Sequence, residues 1–293
     1  MTDAGPPPPE PAGEQAVSAR LRRIAEALGP ATLATALLVY FGYVATRARY
    51  EYFGVPVDLT GRSNQDMMLD GLEVVFVPAA MIFLGVLLIV GVHALVRCLL
   101  SRESDANAYL AYGFVLVGVL LIARAIIGIF LQGPETSVVF GVTPLALALG
   151  PAAVAYGVWI EGQRRGSPLL PQNLARNGVL CAVALGVAGL FWGSTQLAWA
   201  YGTGRGEQDA AGLGDRPEVV VDAKEPLDDL PPGVTGTRLR GDGAYRHRYS
   251  GFRLLLASGG RLFLVSPGWR HGRDQTIVLP YGKDIRVRLV PQT

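Results

Sequence analysis

Arg124 is the one charge well inside an apolar run, with Ile122 and Ala123 before it and Ala125 and Ile126 after it. A central arginine in a membrane span costs about 2.5–3.5 kcal/mol on insertion scales, so such residues usually face a bundle interior or a functional path. Asp66, Asp70 and Glu73 are spaced four and three residues apart, which puts their carboxylates on one helical face where the chain re-enters an apolar run. Arg124 lies about seven residues, roughly 10 Å, from the end of its own run on that same side, within reach of a long side chain. A charge cluster of Arg124 with Asp66, Asp70 and Glu73 has two uses. It can clamp two helices, with simple snorkelling as the alternative for Arg124, or it can bind an anion or relay protons. Clamping or snorkelling is the expected use, and a hydrated cavity at the cluster would favour transport.

No other constellation carries chemistry. A nucleophile–base pair cannot be assembled, so an enzyme is not expected. Cys98 and Cys181 make no disulfide framework, and with His93, His247 and His271 scattered along the chain they make no zinc site; no metal or cofactor is predicted. Each histidine reads as a solvated or interfacial residue. The formal charge of +2 points away from a nucleic-acid partner. Gly186, Gly189 and Gly193 recur at intervals that let another helix approach closely. Pro78, Pro144 and Pro151 fall in apolar runs, where prolines are tolerated and can kink a helix.

The elements that must position these groups are five apolar runs: Leu28–Thr46, Val74–Val96, Tyr109–Leu131, Val138–Ile160 and Gly178–Trp199. Each is close to the roughly 20 residues that match a bilayer core, where only a helix satisfies its own backbone. The sequence therefore predicts a mainly α membrane protein, a five-helix transmembrane bundle over residues 28–203. Arg20, Arg22, Arg23, Arg97, Arg102, Arg164, Arg165 and Arg176 fall on one side, against Arg47, Arg49, Arg62, Arg205 and Arg216 on the other. By the positive-inside rule the N-terminus is cytoplasmic and the C-terminus extracytoplasmic, in the plasma membrane. Tyr40, Tyr43, Tyr50, Tyr52 and Phe53, with Trp192, Trp199 and Tyr201, would anchor the outer interface, and Trp159, Tyr109 and Tyr112 the inner one.

Residues 1–27, with Pro6, Pro7, Pro8, Pro9 and Pro11, read as a disordered cytoplasmic tail. Residues 204–233 read as a linker, and residues 234–293 as a small β-rich extracytoplasmic domain. There Phe252–Ala257 and Arg261–Val265 flank Ser258, Gly259 and Gly260 as a hairpin. Thr276–Leu279 and Ile285–Val290 are expected to pair as a second hairpin. Such a domain has a marginal core, so contact with the bundle or a partner would steady it. Its many arginines, among them Arg238, Arg240, Arg246, Arg248 and Arg253, are expected mainly as a solvated face, with anionic headgroups as the alternative.

Tyr40-Phe41-Gly42-Tyr43, Thr46-Arg47, Tyr52-Phe53-Gly54 and Ser63-Asn64-Gln65-Asp66 resemble a family of uncharacterised multi-pass membrane proteins of actinobacteria. Tyr249-Ser250-Gly251-Phe252-Arg253-Leu254-Leu255, Arg261-Leu262-Phe263-Leu264, Trp269 and Thr276-Ile277-Val278-Leu279-Pro280 look like that family's closing β-segment. The resemblance implies one architecture over most of the chain and no assigned activity. The chain departs from the family pattern at Asp70, where a basic residue is expected. The function expected is that of a non-enzymatic scaffold or sensor, with an anion or proton transporter or channel as the alternative. Its partners would be the lipid bilayer and either a second copy or another membrane or extracytoplasmic protein.

Overall fold

The computed structural model describes residues 12–101, 106–131, 141–240 and 243–291. Five long helices come first: α1 (Ala12–Glu51), α2 (Asn64–Leu100), α3 (Ala106–Phe130), α4 (Val142–Arg165) and α5 (Gln172–Ala211). All five are long and apolar enough to cross a membrane. Six strands follow: β1 (Glu218–Ala223), β2 (Thr235–Arg238), β3 (His247–Ser258), β4 (Arg261–Val265), β5 (Ile277–Pro280) and β6 (Ile285–Val290).

Local signals hold the start of α2 and the end of α4 beyond their apolar runs. Ser63 starts α2 in a capping box: its hydroxyl accepts the Asp66 amide at 3.2 Å, while the Asp66 carboxylate accepts the Ser63 amide at 2.9 Å. Arg164 and Arg165 close α4, where positive charge suits the helix dipole, and Gly166 then turns left-handed at φ 65°. At the other end of the chain, α1 has helical backbone from Ala12, so residues 12–27 are helical where a disordered tail is expected; residues 1–11 lie outside those described. The start predicted for the fourth span, Val138, also lies outside them.

Neighbouring helices follow the order α2, α1, α5, α4, α3. Small residues set the closest approaches. At Gly202 of α5 an added β-carbon would collide with the backbone of Ala45 on α1, and at Gly189 it would lie 2.6 Å from the Pro144 carbonyl oxygen on α4. Near the end remote from the sheet, α2 reaches α3 and α4 through Val96, Ala111 and Ile160. Between its ends α2 exposes Phe76, Phe83, Leu87 and Leu88, as a lipid-facing helix does.

The strands form one antiparallel sheet in the order β5-β4-β3-β1-β6, with β2 added on β3. The expected β3–β4 hairpin is present, and Gly259 and Gly260 supply the positive φ angles (57° and 69°) that its tight turn requires. The second hairpin is not: β5 pairs with β4 and β6 with β1, at opposite edges of the sheet. The boundary also moves. Residues 204–233 hold the end of α5 and the interior strand β1, so the sheet begins at Glu218 rather than at residue 234. Val219, Val221 and Ala223 bury one face of β1 against Tyr249, Phe252, Leu262 and Leu264.

Candidate functional site

The four residues expected as one charge cluster divide. Asp66 caps α2. Asp70 accepts the Thr46 hydroxyl of α1 at 2.9 Å and pairs with Arg62 at 2.9 Å. Glu73 pairs with Arg205 of α5 at 2.7 Å and accepts the Tyr201 hydroxyl. Arg124 instead directs one nitrogen to the Thr143 hydroxyl of α4, at a long 3.4 Å, and among the described residues it makes no ion pair with any of the three acids. Spacing along α2 fixed which acids share a face, but not which helix lies opposite: here α2 packs on α1, while α3 lies along α4. The acids tie α2 to α1 and α5, and Arg124 ties α3 to α4.

A cavity of about 700 Å³ lies between α4 and α5, lined by Val154, Val158, Trp159, Leu174, Val179 and Leu185 among others; none of the four charged residues lines it. Of the three expected packing glycines, Gly189 is the tight one. At Gly193 an added β-carbon would meet Pro144 at an ordinary 3.5 Å, and at Gly186 it would lie 3.9 Å from the Ala148 carbonyl oxygen.

The most elaborate assembly joins the sheet to the helices. Tyr50, Phe53 and Val55, at and just beyond the end of α1, share a buried core with Leu213, Leu255, Phe263, Val265 and Trp269. The Phe53 and Trp269 rings are 4.6 Å apart, and His271 stacks on Tyr52 at 4.1 Å while its Nδ1 lies 2.7 Å from the Tyr52 carbonyl. Thr276 donates to the Phe53 carbonyl at 2.7 Å. Beneath this core, Asp209 of α5 accepts Arg49 of α1 at 2.6 Å and Arg216 at 2.7 Å, and Arg216 donates onward to the carbonyls of Leu254 and Leu255 at 3.0 Å. A half-buried carboxylate bonded on both sides makes one connected network of α1, α5 and β3. Each large side chain in the core contributes roughly 1.5–3 kcal/mol by burial, which favours the docked arrangement of sheet and helices.

Two groups escaped the sequence reading. His93 of α2 meets the Tyr156 hydroxyl of α4 at 2.8 Å, between helices that no pattern pairs. Asp222 is fully buried in β1, within reach of Arg248, Arg286 and Arg288. Burial alone would push its carboxyl upward, but hydrogen bonds from Arg248 and Arg286 and the charge of Arg288 hold it down to about 2. The alternation of Arg286 and Arg288 with apolar neighbours was the available signal, since it puts both on one face of a strand. Compared with known proteins, the chain matches no family model, no curated protein and no solved structure. The actinobacterial resemblance therefore rests on its motifs alone.

Proposed function

We propose that the chain is a non-enzymatic scaffold or sensor of the plasma membrane, in which the helical bundle holds the C-terminal sheet as an extracytoplasmic recognition head. The observation that carries this is the core shared by Tyr50, Phe53, Leu213, Phe263 and Trp269. A tethered module needs only a linker; a head built into the ends of α1 and α5 can pass a change in its own position to the helices. Both sheet edges also keep apolar side chains exposed, Val278 and Tyr281 at one and Leu289 and Val290 at the other, which suits a protein partner or a second copy. The transport alternative draws less support, because Arg124, Asp70 and Glu73 are each engaged elsewhere and Asp66 serves as a cap.

Photo-crosslinking groups at Thr235 and Tyr281, introduced one at a time into the full chain in native membranes, test the proposal. A discrete adduct with one partner or with a second copy is the expected result. A protein that gives no adduct from either position, and whose sheet can be deleted without any change in cell behaviour, would rule it out.

A further inference from the structure

The sheet face that packs on the bundle continues past the junction into a cluster of arginines. Directly paired residues in an antiparallel sheet project to the same face. Val265, in the junction core, pairs with Arg253, which pairs with Glu218; Glu218, Val220 and Asp222 then alternate along β1 on that face. Asp222 pairs with Arg248 on one side and Arg286 on the other, and Arg288 is two residues along β6. The carboxylate accepts Arg248 Nε at 2.7 Å, Arg286 Nη2 at 2.8 Å and Arg288 Nη2 at 3.3 Å.

Among the described residues, three guanidiniums against one carboxylate leave an excess of two positive charges at one spot. Nearby, Lys224 and Asp284 cancel each other at 2.8 Å, and Glu218 accepts the Gly251 amide at 2.8 Å. Asp222 is fully buried, whereas the side chains of Arg248, Arg286 and Arg288 remain 34%, 55% and 48% exposed. The acid thus holds the three guanidiniums together while leaving each open to solvent. Among the described residues, Nη1 of Arg248, of Arg286 and of Arg288 makes no hydrogen bond. Tyr245 supports Arg286 with its ring 5.1 Å away, and Thr237, paired with Arg248, donates its hydroxyl to the Arg248 carbonyl at 3.5 Å.

We propose that Arg248, Arg286 and Arg288, held in place by Asp222, form a binding site for a phosphate-type oxyanion. Guanidinium forks match the geometry of phosphate oxygens in pairs, and a phosphate supplies the negative charge that the cluster lacks. The anion is either a free phosphate compound or the headgroup phosphate of an anionic lipid. The site gives the recognition head a ligand class, and for its biological use it rests on the function proposed above.

The test is isothermal titration of the full chain in neutral detergent at fixed ionic strength. One arm uses inorganic phosphate and the other dihexanoyl phosphatidylglycerol, with the phosphatidylcholine analogue as blank. Saturable binding is expected in at least one arm, weakened roughly tenfold by R286Q/R288Q and several-fold by R286K/R288K, because lysine keeps the charge and loses the fork. Binding in the phosphate arm alone identifies a soluble ligand, and binding in the lipid arm a headgroup. Absence of saturable binding in both arms, or a lysine variant as tight as the parent, overturns the proposal; the lysine variant decides if the glutamine variant does not fold. Crosslinking from Thr235 and Tyr281 is read separately, so loss of the anion site and loss of the partner are distinguishable.

Discussion

Gly42 of α1 and Gly71 of α2 lie against each other: a β-carbon built on Gly42 would come within 2.8 Å of the Gly71 amide nitrogen. On the other side of the contact, one built on Gly71 would collide with the Leu38 backbone. Contact between the two backbones is what lets the Thr46 hydroxyl, one turn beyond Gly42, reach Asp70 beside Gly71. Gly71→Ala should therefore part the helices and cost about 1–3 kcal/mol, the range for overpacking. Gly85→Ala, on the same helix with nothing within 4 Å, should be neutral or slightly stabilising. Thermal unfolding in detergent compares them, and equal melting temperatures for the two variants would contradict the close crossing.

Trp269 offers a test of the junction that separates packing from polarity. Its ring is buried against Phe53, yet its indole nitrogen has no hydrogen-bond partner among the described residues. Trp269→Ala should cost about 3–5 kcal/mol and loosen the sheet from the helices. Trp269→Phe keeps most of the packing and removes the unsatisfied donor, so it should stay within about 1.5 kcal/mol of the parent. Limited proteolysis between α5 and β1 reads the loosening directly: faster cleavage is expected for the alanine variant alone.

The five membrane-length helices were legible because a bilayer demands long apolar helices, and the β3–β4 turn because a Gly-Gly pair between two apolar runs marks a tight hairpin. Strand partners were not legible. Thr276–Leu279 and Ile285–Val290 flank a turn-like Pro280-Tyr281-Gly282-Lys283, but β1 offered β6 a longer partner across the sheet, and only the three-dimensional arrangement decides between such pairings. The strand β1 itself was hidden in the expected linker, because Asp222 near its end reads as a surface residue until three arginines are found around it. The charge cluster failed for a related reason: helical periodicity gives the face of Asp70 and Glu73, while their partners Arg62 and Arg205 lie on other elements.

Separation of Arg124 from these acids has a thermodynamic signature. Arg124→Leu and Glu73→Leu should each act alone, and their combination should match the sum of the single effects within about 0.5 kcal/mol. Glu73→Leu with Arg205→Leu should deviate from additivity by about 0.5 kcal/mol or more, since those side chains are in contact. Thermal unfolding of both double-mutant cycles settles the matter. Recovery of stability in the Arg124/Glu73 double variant would restore the pairing that the structure lacks.

Asp222 makes the sheet acid-sensitive. Its folded-state value of about 2 lies below the ordinary 3.8, so the stability it contributes is complete above about pH 4 and is lost as pH falls through about 2. The sheet signal in circular dichroism should weaken across that window. Asp222→Asn, which cannot compensate the three guanidiniums, should be less stable at neutral pH and should show a flatter response between pH 4 and pH 2. A parent and variant with parallel acid profiles would place the acid response elsewhere.

Orientation is the remaining prediction, and the structure makes it a comparison between two ends. α5 runs without interruption from Gln172 to Ala211, so the α4–α5 turn containing Ser167 and the sheet containing Lys283 lie at opposite ends of the bundle. Both residues are exposed. The native Cys98 and Cys181 are exposed too, and must first be changed to serine so that they do not react. Arginines near the α4–α5 turn, Arg164, Arg165 and Arg176, resist translocation, whereas acidic residues count for little. In whole cells an impermeant maleimide should accordingly label Lys283→Cys and spare Ser167→Cys, and both should react once the membrane is opened. The reverse pattern would put the sheet and its arginine cluster in the cytoplasm, where the phosphate-type ligand would be sought among cytoplasmic metabolites and inner-leaflet lipids.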